Sequence, residues 1–574
     1  MEETLIVTSE RVDDILVLVA HMARMGLQRL VDEQFRVHGN WQGLSLGWVT
    51  VLWLSHILSE ADHRLNHVQV WAEKRLETLR GCSGQTVRAL DLSDDRLAGV
   101  LSALGHDTCW AAFESTLNGH LLRVYDLNPQ GVRVDSTTVS GRWEVTPDGL
   151  FQFGRSKDHR PDLPQVKVML SSLDPLGMPV ATQVVSGEKA DDPLYGPAIT
   201  QVRQGLGRRG LLYVGDCKMG ALSTRAFIQE GGDYYLCPLG RRQLSAEVLS
   251  TYLVPVWAGE QALVPVYRQG QEGEEEQLAE GYERLETLSA EVEGKTIRWD
   301  ERRLVLKSLQ QARIEQDSLA IRLGRAETDL AALNARKRNR GPFGESASLR
   351  EVAESILKRH DVAGLLQLDY VEVSPEHPLQ TSGRKRPPVR SDKEIHIRVA
   401  RDEQAIAAKT RTLGWRVYVT NQPAEQLPLP QAVPAYRNEF SIEHDFGRLK
   451  GKPLSLAPMY LQDDVRATGL IRLLSIGLRL LTLLEFVARH NLAAEGGKLP
   501  GLYAGNPKRA TTRPTAERLL ESFKETTLTI LSDNQREHRH LTPLSALQQK
   551  ILALLDLSPD LYTILCTPSE PPRK

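Results

Sequence analysis

Between residues 131 and 239 short apolar or alternating runs follow one another, broken by Gly, Pro and Asp. "GVRVD" (131–135), "LFQFG" (150–154), "QVKVMLSSLD" (165–174) and "PVATQVVSG" (179–187) have the pattern of an antiparallel meander. "PLYGPAITQVRQGLG" then reads as a helix, "LLYVGD" (211–216) as a second buried strand, "LSTRAFIQEG" as a helix and "DYYLCPL" (233–239) as a strand. That order, β-β-β-β-α-β-α-β, requires a mixed α/β sheet.

The flanks differ. Residues 1–128 read as a helical N-terminal domain suited to binding DNA; Ser93 is a capping candidate before "DDRLAGVLSALG". A strand-and-helix core occupies 129–240, an insertion 241–430, the completion of the core 431–490, and a helical region 491–574. A chain of 574 residues is too long for one core. Within the insertion "VPVWAGEQALVPVYR" reads as strands, and 273–333 as charged helix. Val305, Leu309, Ala312, Gln316, Leu319, Leu323, Ala326, Leu330 and Leu333 recur at alternating spacings of four and three, a heptad seam with one polar position. It fits a helix pair within the chain or a coiled coil between two copies. "EIHIRVAR" and "GWRVYVTN" return to strand. The basic clusters "ARKRNRGP" (335–342) and "GRKRPPVR" (383–390) read as exposed loops able to neutralise phosphates.

Composition removes other classes. A net charge of −2 leaves no global basic field, so any nucleic-acid contact is local. The five cysteines form no C-x-x-C pair, which argues against a zinc knuckle or a disulfide scaffold and suits a reducing cytoplasm. The acidic N-terminus lacks the apolar core of a secretion signal. "GLSLGWVTVLWLSHIL" (43–58) is short for a membrane span, and 468–490 carries Arg472, Arg479 and Glu485. Both read as buried core helices.

Two acids close two buried strands, Asp135 in "VRVDSTTVSG" and Asp216 in "LYVGDCKMG". Carboxylates on adjacent strands are suited to sharing a hard divalent cation. The third is sought in "YRNEFSIEHDFGRLK" (436–450). As one helix it would carry Tyr436, Glu439, Glu443, Phe446 and Lys450 on one face. A solvated face does not usually interleave aromatics with acids in this way, so the face is expected to meet the sheet.

This stretch resembles the Y-x2-R-x3-E-x6-K signature of insertion-sequence DDE transposases, with Tyr436 and Lys450 each seven residues from Glu443. "DSTTVSG" is similar to that family's first-Asp motif and "LLYVGDCKMGA" to its second. "GRSKDHRPDLPQVKV" (154–168) is similar to a stretch between early strands in one branch, and "GWRVYVTN" to the strand closing a large insert. The likeness spans about residues 93–530. It implies a ribonuclease-H-like core with a large β/helical insertion and helical N- and C-terminal regions. It also implies Asp135, Asp216 and Glu443 as catalytic ligands of two Mg2+ ions, with Mn2+ able to substitute, and cleavage and joining of DNA at terminal inverted repeats. Double-stranded DNA and a homodimer in the synaptic complex are the implied partners, with no membrane and a cytoplasmic, nucleoid-associated location. Tyr436, Lys450, Arg437, Arg448 and Trp415 are the implied DNA contacts, Trp415 by stacking on an unstacked base.

One position departs: Glu439 stands where the signature has an arginine that holds phosphate. Arg437, about 200° away around an ideal helix, or Arg448 would have to substitute. The alternative is a decayed or repurposed transposase that binds DNA without cutting it. A structural coiled-coil protein built on 305–333 ranks last, because it leaves the ordered carboxylates unexplained.

Overall fold

The computed structural model describes residues 6–37, 39–269, 275–335, 346–373, 394–438, 440–532 and 537–567. Glu439 and the basic clusters at Arg336–Arg340 and Arg384–Arg386 lie outside them. The chain divides into two units. The first comprises 1–237, 288–299 and 435–574; the second comprises 238–287 and 300–434.

The first unit begins with β1 (Ile6–Arg11) and a set of helices reaching Val124. A mixed sheet follows: β2 (Gly131–Ser140), β3 (Gln165–Asp174), β4 (Met178–Ser186), β5 (Leu212–Gly215) and β6 (Tyr234–Pro238), in spatial order β4-β3-β2-β5-β6. β2 and β3 pair antiparallel, as do β3 and β4, whereas β2–β5 and β5–β6 are parallel. The helices Tyr195–Leu206 and Leu222–Glu230 are the crossovers that parallel pairing demands. The mixed α/β expectation therefore stands. The run "LFQFG" does not form a strand; it makes only an isolated bridge from Gln152 to Gln165.

The run at 468–490 lies in a 31-residue helix, Asp464–Ala494, whose residues from Leu470 to Glu485 are all buried. It crosses the helix Asp94–Gly105 closely. A Cβ at Gly469 would sit 2.0 Å from the Leu101 carbonyl oxygen, and one at Gly105 2.3 Å from that of Val465. Arg479, fully buried, pairs with Glu114 at 2.5 Å, and Glu114 also accepts from Gln201. The charge is tolerated because its partner is buried with it. The 43–58 run holds the helix Leu46–Glu60, also buried along most of its length. Among the described residues no helix is long and apolar enough to cross a membrane. The C-terminal region is not wholly helical. Thr527–Ser532 pairs antiparallel with β1 on one side and with Glu537–Leu541 on the other.

The second unit corrects the sequence reading most. "VPVW" lies inside the helix Ala246–Trp257, with only β7 (Val264–Gln269) beyond it as strand. Residues 275–308, of which 288–299 belong to the first unit, are not helix but a long hairpin, β8 (Glu275–Val292) and β9 (Lys295–Ser308), turning through Glu293 and Gly294, both at positive φ. The apolar run "LVL" (304–306) and the Gly-containing turn favour strand pairing despite the high charge. The helix itself is Leu309–Ala331, so Val305 of the heptad seam belongs to β9. Leu319, Leu323, Ala326 and Leu330 are buried against Leu349 and Ala353 of the helix Ser346–Arg359, and against β10 (Leu366–Val373) and β11 (Glu394–Arg401), which pair antiparallel. β12 (Trp415–Thr420) pairs with β9.

The seam is thus satisfied inside the chain. Leu323→Ala should lower the unfolding free energy by about 2–5 kcal/mol in urea titrations of the full chain. Its mass by light scattering should stay that of the wild type; a shift of oligomeric state would restore an intermolecular seam.

Candidate active site

Parallel pairing of β2 with β5 runs from Gly131 opposite Leu212 to Val134 opposite Gly215, and there it stops. Asp135 and Asp216 are the next residues on the two strands. β2 does not end at Asp135, as the sequence suggested; it continues to Ser140 along β3. The two aspartates therefore stand where the sheet opens beside β2.

Glu443 reaches the same place from the helix Phe440–Lys450. Ile442, Asp445, Phe446 and Leu449 form its buried face, at the i, i+3, i+4, i+7 spacing of a helix side. Glu443 lies outside that face and is exposed. Asp135, Asp216 and Glu443 together line a cavity of about 160 Å³, with Arg133, Lys157 and Gly215 among its other walls.

The acids differ in their surroundings. Asp216 accepts from the Tyr195 hydroxyl at 2.7 Å and from the backbone N–H of Lys218 at 2.8 Å. Tyr195 is buried beside acids, which holds its hydroxyl protonated as a donor. Asp135 accepts from the Ser136 N–H at 2.7 Å and from the Lys157 ammonium at 3.3 Å. Desolvation raises the Asp135 pKa to about 6; Lys157 opposes the shift and the charge of Asp216 adds to it. Ser136 also donates to Asp191 at 3.1 Å. Burial works against the Asp191 charge, but hydrogen bonding from Lys167 and attraction from Lys157 hold its pKa below the ordinary value.

Two side chains that the sequence reading passed over organise the cavity. The buried Arg133 guanidinium donates to the carbonyls of Ala435 (2.6 Å) and Tyr436 (3.1 Å), and pairs with Asp174 at 3.2 Å. It pins the chain entering the Glu443 helix to β2. Lys157 comes from the "GRSKDHRPD" stretch. The usable signal was a lysine between Ser156 and Asp158 in that stretch.

The remaining candidates are placed as follows. Tyr436 and Arg437 end a separate helix, Leu429–Arg437, so Tyr436 does not share the Glu443 helix as expected. Both are half-buried. Arg448 is 4% exposed and engaged by Glu485 and Glu517, the latter at 2.7 Å, which takes it out of contention as a phosphate ligand. Lys450 pairs with Asp158 at 2.6 Å and keeps 24% of its side chain exposed. Trp415 lies in the second unit, buried on β12, its indole N–H donating to the Arg411 carbonyl at 3.0 Å, so its ring is not presented for base stacking.

No family model and no curated protein matches the chain. Among solved structures it matches a chain of the cryo-EM structure of the piggyBac transposase synaptic complex with hairpin DNA. The TM-score is 0.32 and the identity 8%, over 98% of this chain and 85% of that one. At that score and identity, function has to be argued from the site's own residues.

Asp445 offers a direct check on the packing beneath Glu443. It is buried, accepts from the Ser172 hydroxyl at 3.0 Å, and desolvation raises its pKa to about 8. Over the interval from its ordinary value to about 8, the folded chain holds a proton that the unfolded chain has lost. Stability attributable to this group therefore falls as pH rises. Asp445→Asn, which stays neutral, should gain stability relative to wild type by up to about 1.4 kcal/mol per pH unit between pH 5 and 8, read from urea unfolding. A constant difference across that range would show that Asp445 is ionised in the fold.

Proposed function

We propose that this chain is a DDE-type DNA transposase, which cuts at transposon terminal inverted repeats and joins the freed 3′-hydroxyl ends to target DNA. The observation that carries the reading is the shared cavity. Asp135, Asp216 and Glu443 are separated by 81 and 227 residues in sequence, yet two strands and a helix bring them to one wall-to-wall space.

The donor set suits Mg2+, or Mn2+ in its place: three carboxylates supply only hard oxygen donors. The mutual repulsion of Asp135 and Asp216 and the desolvation of Asp135 are relieved by a bound cation. Among the described residues no three His, Cys, Asp or Glu side chains converge closely enough to hold an ion as they stand. Asp135, Asp216 and Glu443 are the residues assigned to hold two ions. Once bound, the ions supply activation of the attacking hydroxyl and neutralisation of the leaving oxygen in phosphoryl transfer.

The chain's own groups do the positioning. Tyr195 fixes one oxygen of Asp216, and Ser136 one oxygen of Asp135. Arg133 holds the entry to the Glu443 helix against β2. Lys450, Tyr436 and Arg437 remain the proposed backbone contacts for double-stranded DNA, and a homodimer is proposed for pairing two ends. Such a protein would work in the cytoplasm, on nucleoid DNA.

The test is cleavage of a duplex carrying the DNA that flanks the reading frame, in Mg2+ and in Mn2+. Asp135→Asn, Asp216→Asn and Glu443→Gln should each reduce strand cleavage at least about 100-fold while leaving the circular-dichroism spectrum unchanged. Binding without cutting by the wild type would support the decayed, DNA-binding alternative. Full activity in any one variant would remove that residue from the site.

A further inference from the structure

We propose that Lys157 is a placeholder cation for the Asp135 carboxylate, one that DNA phosphate draws away so that a divalent ion can take its place. The inference rests on the reading of the site as a two-metal centre and concerns how that centre is kept closed without DNA. The Lys157 ammonium lies 3.3 Å from Asp135 Oδ1 and 2.5 Å from the carbonyl oxygen of Ser136. A carboxylate and a carbonyl are the oxygen types that a hard cation takes, and the ammonium engages both. A divalent ion on Asp135 and an ammonium this close would repel, so the two compete for one position.

The loop is built to let the head group move while its base stays. Lys157 belongs to the β2–β3 connection, and its backbone N–H is held by the Thr138 hydroxyl at 2.9 Å. Asp158 and Arg160 N–H groups both bond the Ser156 hydroxyl at 3.2 Å, closing the turn on itself. The Lys157 side chain is nevertheless 36% exposed, on a flexible four-carbon stem. Next to it Asp158 pairs with Lys450, so each of the two lysines is engaged by a carboxylate. A phosphate backbone offers both a competing anion. DNA binding and metal binding would then favour one another, each removing the obstacle to the other.

The experiment titrates Mn2+ into the full-length protein without DNA, followed by electron paramagnetic resonance of the free ion. Lys157→Met should bind Mn2+ at least about tenfold more tightly than wild type, and Lys157→Gln should do the same. Lys157→Arg, which keeps the charge, should not. Asp135→Asn added to Lys157→Met should abolish the gain. Adding a duplex of the flanking DNA should tighten Mn2+ binding in the wild type and leave Lys157→Met unchanged. Equal or weaker binding in both neutral variants, with Asp135→Asn still lowering affinity, would overturn the placeholder and leave the metal centre standing. Mn2+ binding indifferent to Asp135→Asn in every background would overturn both.

Discussion

The register of β2 against β5 is what the rest of the site depends on. Four residue pairs of parallel ladder end at Val134 and Gly215, which places Asp135 and Asp216 next to each other at the point where the sheet opens. Parallel pairing demands a crossover, and the crossover here brings Tyr195 to Asp216. β2 itself cannot slip, because its other edge is tied along its full length to β3. A one-residue shift would turn Asp135 to the opposite face.

The third acid is delivered by a different constraint. The last segment of the first unit begins at Ala435. Arg133, one turn of the pleat before Asp135, captures the carbonyls of Ala435 and Tyr436 and so fixes where the next helix starts. Ile442, Phe446 and Leu449 then bury one side of that helix, leaving Glu443 at the cavity. The arrangement concentrates negative charge, and the chain answers it locally. Lys157 stands at Asp135, Lys167 at Asp191 and Lys218 at Asp192.

Much of the first sheet could be read from the sequence because its strands are short, strongly apolar and punctuated by turn residues. β3 matches the run at 165–174, and β5 and β6 fall within the runs marked for them. The β8–β9 hairpin was hidden because fourteen charged side chains along its two strands mimic a solvated helix in sequence. The arginine- and lysine-mediated clamps were hidden for a related reason. Arg133 and Lys157 earn meaning only from partners far away in sequence, Ala435 and Tyr436 for one and Asp135 for the other. Tyr436 was misassigned because the periodicity of 436–450 is continuous in sequence, whereas the chain ends one helix at Arg437 and starts another at Phe440.

The account stands on three carboxylates serving one metal centre. A crystal of the full-length protein grown with MnCl2 and measured at the manganese absorption edge tests this most directly. Anomalous peaks between Asp135, Asp216 and Glu443, with oxygen ligands from all three, are the expected result. Ordered manganese elsewhere, with the three carboxylates clear in density and unliganded, would contradict it.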